Sequence, residues 1–449
     1  MNTSRCLTTL SRLFVLIPSL FAQGPLAPTG TPAPSMKTLE QIEPRTPIFT
    51  VPAIINAPGS YYLTRNINTI PATIPVITIN SSDVTIDLNG FTLFTDVGTG
   101  TVTNHSAFFL SGTGLENITV RNGTIHGAWY AGFWAFEFVE NIILENLRVV
   151  GTFRYGLKAG EHAKITGCVV DGTASNLVGF RGIQANSGSE VRDCVASRCG
   201  GRGYFVVPDS QVLDCTAYDN GSGFTISGKG LYSRCIADCV SSDNNIGFDT
   251  GDYARLDRCT AYSNTRTGAD LSQFSSATGC LFSENGGSGL IANAGNVVSV
   301  CSAYHNTLKG FALGVNATIT GCTATRNQGD GIEVLNASVV ANCAAYESGK
   351  MTTNALADGI QIGDGCRMVD CASQGNQGAG IFVTSTGNLI SGNITRSNTG
   401  DGIHTASSDN LIFGNISGNN SGTDIDFEGI GKIGPVSASA IGADPHANF

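Results

Sequence analysis

Between residues 129 and 205 the chain sets cations and aromatic rings at matched intervals: Arg154, Lys158, Arg181 and Arg202 with Trp129, Trp134 and Tyr155. Arginine forks grip carboxylates through two parallel hydrogen bonds, and flat rings stack on the apolar faces of sugars. Such a set suits an acidic polysaccharide. In a lyase or an epimerase, Arg181 and Arg202 would neutralise a uronate carboxylate while Lys158 or His162 takes the proton α to it. A second group is acidic: Asp249 and Asp270 recur at one interval, with Asp252 close by. Carboxylates about 5 Å apart repel, so they invite calcium or a shared proton, and a glycoside hydrolase pair has the same composition.

These residues become neighbours only if the backbone stacks them. A glycine, in most cases followed by a large apolar residue, recurs from Gly132 to Gly402 at separations of 20 to 28 residues, most often 21. Cysteine repeats the period: Cys168, Cys194, Cys215, Cys235, Cys259, Cys280, Cys301, Cys322, Cys343 and Cys371. Each unit holds short β-type triplets separated by Asn, Gly and Asp, which is one coil of a parallel β-helix. At about 3.3 Å per residue, 21 residues close a loop of roughly 70 Å, enough for three strands and three turns. About 13 coils are expected, stacked about 4.8 Å apart. Alternation then points the residue after each glycine inward and the next one outward. The outward row reads Trp134, Lys158, Gln184 and Phe205, with Asp249 and Asp270 later at the same phase. Immediately before the glycines stand Tyr155, Arg181 and Arg202, and farther along Asp330, Asp358 and Asp401, the latter expected to cap Asp-Gly turns.

Residues 330–345 and 379–403 resemble the right-handed parallel β-helix repeats of the pectate-lyase-like superfold. Residues 58–67 and 84–94 resemble the first coils of its exported bacterial members. The resemblance implies an all-β, right-handed parallel β-helix over residues 48–420. Its functional implication is broad, because the superfold hosts lyases, hydrolases, epimerases, esterases and adhesive proteins. Residues 398–404 superficially resemble the polygalacturonase pattern, but Gly400 breaks the Asn-Thr-Asp triplet and no paired Asp-Asp follows. That activity is not carried over. Asp444-Pro445-His446 resembles the Asp-Pro-His of mannuronan epimerases but falls beyond the period. The leading expectation is a protein that binds an anionic polysaccharide or cell-surface glycan, with lyase, epimerase or glycoside hydrolase chemistry as the catalytic options and calcium as the candidate cofactor. The alternative is a non-catalytic, adhesin-like rod.

Composition narrows the remaining classes. With 57 Gly, 13% charged residues and a net charge of −10, the chain offers no field to attract nucleic acid. Residues 1–22, with Arg5 and Arg12 ahead of a short apolar run, read as a signal peptide, and the prolines of 23–47 as a linker. Secretion to the medium, periplasm or cell surface follows, without membrane insertion of the mature chain. Residues 421–449 lose the period and read as a cap or tail. The cysteine column is expected to pack as thiols, since rungs about 4.8 Å apart exceed the Cβ separation near 3.8 Å that a disulfide wants. Cys199, Cys239 and Cys366, off that column, are the better disulfide candidates, and Cys6 leaves with the signal peptide.

Overall fold

The computed structural model describes residues 43–69, 74–95, 105–127, 129–172, 180–207, 209–226, 234–237, 239–350, 357–427 and 432–433. The signal peptide, most of the linker, the insert at 351–356 and Asp444-Pro445-His446 lie outside the described residues. The chain divides into two compact units after Pro44, and every coil belongs to Arg45–Phe449.

A middle coil carries three short strands, Phe311–Leu313, Thr318–Thr320 and Thr323–Thr325, which define a first, second and third face. Each pairs in parallel with its equivalent one coil later: Phe311 with Ile332, Ile319 with Val340, Ala324 with Ala345. The result is a parallel β-helix of about 15 turns, against about 13 expected. The first-face ladder already runs through Ala53–Ile55, Ile77–Ile79 and Phe108–Leu110, coils that lack the glycine marker, and it extends to Ile425–Phe427. Among the described residues no helix is long and apolar enough to cross a membrane.

Close approach explains the marker glycine. A Cβ on Gly310 would lie 2.5 Å from the Gly331 carbonyl oxygen and 2.7 Å from Asn327 Nδ2, so any side chain there would push successive coils apart. The residue that follows turns inward: Leu290, Phe311, Ile332, Ile360, Ile381 and Ile403 form one buried ladder, as alternation predicts. Tyr204, Phe224 and Phe248 stack within it at centroid separations of 4.6 and 5.0 Å.

The cysteine column needs one correction. Cys239, not Cys235, occupies the column: Val240 N–H donates to the Cys215 carbonyl and Thr260 N–H to the Cys239 carbonyl, both at 2.9 Å. Cys235 instead pairs in register with Gln211 on the second face. The coil's extra residues fall before Arg234–Ala237, which shifts its cysteine phase. Among the described side chains, twelve cysteines, Cys199, Cys239 and Cys366 included, are buried thiols rather than halves of disulfides. Burial pushes the Cys259 thiol well above its ordinary range, with a hydrogen bond to Cys280 adding to the shift. Unfolding midpoints measured with and without reductant are therefore expected to coincide, whereas a loss of about 2 kcal/mol or more on reduction would reveal a structural bridge.

Beside the thiols runs a ladder that the sequence reading did not anticipate. Asn264, Asn285, Asn306 and Asn327 are buried at one phase, each side-chain oxygen accepting the backbone N–H of the previous coil's asparagine at 3.0 to 3.1 Å. Each amide nitrogen donates onward to the next side-chain oxygen at 2.9 Å in the links from Asn264, Asn285 and Asn306. Over these coils the turn between third and first faces thus satisfies the buried asparagine groups internally, whereas Ser348, at the same phase one coil on, keeps a buried hydroxyl without a partner.

Candidate functional site

The first face brings the expected row of Trp134, Lys158, Gln184, Phe205, Asp249 and Asp270 into register and adds Phe109 ahead of it and Thr225 within it. Beside it run Tyr155, Arg181 and Arg202. Trp134 stacks on Phe109, centroids 5.2 Å apart at 11°. Lys158 Nζ sits 4.8 Å from the Trp134 ring centre, and the side chain is only 9% exposed. Burial pulls the Lys158 ammonium below its ordinary range; Glu137 opposes the shift, and Arg181 and Arg154 reinforce it.

The arginines rest on rings. Arg181 lies with its guanidinium carbon 3.5 Å from the Phe205 ring centre, donates from Nη1 to Gln184 Oε1 at 2.7 Å, and keeps a buried Nε without a hydrogen-bond partner. Arg202 approaches the same ring at 5.3 Å. Arg154 donates to the Tyr130 hydroxyl at 2.8 Å and lies over Tyr130 and Tyr155. Arg181, Gln184 and Phe205 line a cleft of about 380 Å³ whose walls include Glu137 and Glu161. A second cleft of the same size opens against Phe109, Tyr130 and Trp134.

Two residues of the expected set lie elsewhere. Trp129 is fully buried: its N–H closes a tight turn onto the Gly127 carbonyl at 2.8 Å, and the ring joins the core. It packs the coil and does not meet a ligand on the face. His162 stands at the corner between first and second faces, in the left-handed region at φ 50, with Nδ1 3.9 Å from a Glu140 oxygen. Its ring lines a shallow pocket with Asn117, Asn141 and Lys164, and a ring nitrogen lies within 4.8 Å of a carboxylate oxygen of Glu161, a wall of the Arg181 cleft.

Asp249 and Asp270 are paired in register, as expected. Burial raises both carboxyls above the usual range; Asp270 adds to the shift of Asp249 and Arg202 counters it, while Arg266 counters that of Asp270. Asp252 does not complete a metal-binding trio with them: its Oδ1 accepts the Gln273 backbone N–H at 3.3 Å. Among the described residues, three close ligand groups assemble at Glu140, Glu161 and His162 and at Asp401, His404 and Asp426. In the second, His404 Nδ1 lies 3.0 Å from Asp401 and 3.1 Å from Asp426. The carboxylates before the later glycines do cap: Asp330 accepts Asp358 N–H at 2.9 Å, and Asp358 accepts Ala379 N–H at 2.6 Å.

The family model described as the right handed beta helix region matches residues 76–233 and 236–353. The chain belongs to that family. No curated protein matches this right-handed β-helix in sequence. Among solved structures it is similar to the Azotobacter vinelandii mannuronan C-5 epimerase AlgE4 A-module, at 14% identity and TM-score 0.36 over 84% of this chain and 91% of that one. A mutant tailspike protein of E. coli bacteriophage HK620 aligns at 11% identity and TM-score 0.45, covering 78% and 69%. The catalytic domain of a GH87 alpha-1,3-glucanase aligns at 10% and 0.36, covering 76% and 62%.

Proposed function

We propose that this β-helix, exported from the cell, binds an anionic polysaccharide along the first face of its N-terminal coils and performs a lyase or epimerase step on a uronate there. One observation carries the reading. Among the described residues Arg154, Lys158, Arg181 and Arg202 gather on neighbouring coils of one face without an ion pair, whereas Arg121, Arg192, Arg198, Lys309 and Arg326 are each paired; other unpaired cations, such as Arg148, Arg367 and Arg396, stand apart from this row. Four neighbouring cations, two of them largely buried and held on aromatic rings and offset only by Glu137 and Glu161 in the cleft wall, would favour a polyanion.

The chemistry follows from the placement. Arg181 and Arg202 would grip the uronate carboxylate and stabilise the charge that develops when the α-proton leaves. Lys158, paired in register with Gln184 of that cleft and with its pKa lowered by burial, would serve as the base. Expulsion of the glycosidic oxygen at the β-carbon would then form the C=C bond of a lyase product; reprotonation on the opposite face would give the epimer.

The test is equilibrium binding to polygalacturonate and alginate, with unsaturated product followed by absorbance. Arg181→Ala with Arg202→Ala is expected to weaken binding about 100-fold, the loss of two charge-assisted contacts. Lys158→Met should abolish product while leaving binding within about tenfold. Binding without product, with and without calcium, would leave the non-catalytic adhesin-like reading; equal binding by wild type and the double variant would overturn both.

A further inference from the structure

The third face carries a different pattern. Its outermost column reads Ser197, Tyr218, Ser242, Tyr262, Ser283, Tyr304, Thr325 and Tyr346 on successive paired coils. A tyrosine thus stands on every second coil, and a small hydroxyl residue on each coil between. Two coils rise about 9.6 Å, so the rings repeat at that interval along the helix axis. Tyr218 and Tyr262 are 37% and 39% exposed. Tyr304 lies flat against His305, centroids 3.9 Å apart, which fixes its orientation.

On one side the rings are rimmed by the turn residues Arg198, Asp219, Asp243, Glu284, Arg326 and Glu347, with Arg326 paired to Glu347; on the other side the face is uncharged. The parallel outward column holds Val195, Thr216, Val240, Thr260, Leu281, Ser302, Thr323 and Ala344. Across these eight coils neither column contains an Asp, Glu, Lys or Arg. Strands of three residues repeat in strict register, and among the described residues no loop interrupts them. Ser197 and Ser242 are almost completely covered although they point outward, and the Ser197 hydroxyl donates to Asp171 at 2.9 Å.

We propose that this row is a second glycan site, for a neutral, extended β-1,4-linked polysaccharide. In such a chain each sugar is flipped relative to the last, so the same apolar ring face recurs once every two sugars, a repeat close to the two-coil spacing. Each tyrosine would stack under alternate sugars while its hydroxyl and the partly exposed Ser283 and Thr325 hydroxyls meet the sugar edges. Charge separates the two surfaces: the first face offers unpaired cations to a polyanion, and the third offers none. The third face therefore stands or falls independently of the first.

Depletion binding of the full chain to microcrystalline cellulose tests it, with starch granules as the α-linked control. Wild type should bind cellulose and not starch, and Tyr218→Ala or Tyr262→Ala should each weaken binding about fivefold, the equivalent of one lost stacking contact. Tyr262→Ser combined with Ser283→Tyr keeps the number of rings but breaks their spacing, and should weaken binding as much as Tyr262→Ala. Arg181→Ala should bind cellulose like wild type. Equal binding by the spacing variant would show adhesion without register and overturn the proposal, as would equal retention on starch. A dimer in sedimentation that Tyr262→Ala dissolves, with no binding to cellulose, would instead assign the row to a second copy of the chain and overturn the proposal too.

Discussion

Asn285→Ala should lower the stability of the coil stack by about 4 kcal/mol, read as a shift in urea midpoint at neutral pH. The side chain is fully buried and serves three coils. Its oxygen accepts the Asn264 backbone N–H at 3.1 Å and the Asn264 amide at 2.9 Å, while its nitrogen donates to the Ala261 carbonyl at 3.2 Å and to Asn306 at 2.9 Å. Alanine orphans the Asn264 N–H, which costs about 1 to 3 kcal/mol, and leaves a cavity beside it at a comparable cost. Aspartate would keep both bonds from Asn264 but bring a charged oxygen against the Ala261 and Asn306 oxygens, so it should be no better tolerated. Because each coil is held only by its neighbours, the damage should be local: amide exchange at Asn264 should rise before that of distant coils. A midpoint shift below about 1 kcal/mol would mean that the ladder fills space without holding the coils together.

That ladder shows what kind of regularity the primary structure hides. Asn264, Asn285, Asn306 and Asn327 recur at the same spacing as the marker glycine and stand four residues ahead of it. Asparagine between short strands reads as an exposed turn, so the period was visible and its burial was not. The glycine and cysteine markers were legible because close approach leaves room for little else: a Cβ at Gly310 would strike the next coil's glycine carbonyl and Asn327. Cys235 misled because an insertion placed ahead of it moved the wrong cysteine into phase. Where two markers straddle an insertion, only backbone pairing decides which residue belongs to the column.

The outward rows were legible for the same reason, since strands of fixed length carry Trp134, Lys158, Gln184 and Phe205 to one line once the period is known. Turn residues were not. Trp129 and His162 occupy turns where alternation ends, and a tight turn folded one ring into the core while a left-handed residue set the other around a corner. The His404 cluster was missed because its partner Asp426 lies on a coil beyond the point where the apparent period stops. The tyrosine row escaped because only every second unit carries it.

Asp358 is expected to make the protein less stable as pH rises from about 4 to about 7. Burial pushes its carboxyl up to about 7, and the neighbouring Asp330 carboxylate adds to the rise, against the pull of the Ala379 N–H, His404 and Lys309. An unfolded aspartate titrates near 3.9. Between those values the folded chain holds a proton that the unfolded chain has released, so the stability conferred by the neutral acid is complete below about pH 4 and lost as pH climbs through 7. The full loss is on the order of 4 kcal/mol. Asp358→Asn is uncharged at every pH and keeps an oxygen for the Ala379 N–H, which the wild type holds at 2.6 Å. The variant should match wild type near pH 4, exceed it by a few kcal/mol at pH 8, and show a flatter stability profile between. Parallel curves for the two proteins would place the Asp358 proton in solvent contact and remove the burial argument. A flattened curve would establish that, near neutrality, the C-terminal coils carry a carboxylic acid beside the Asp330 carboxylate on the very face whose N-terminal coils present cations. The two ends of one ladder would then differ in charge by design of a single column, the residue before each marker glycine.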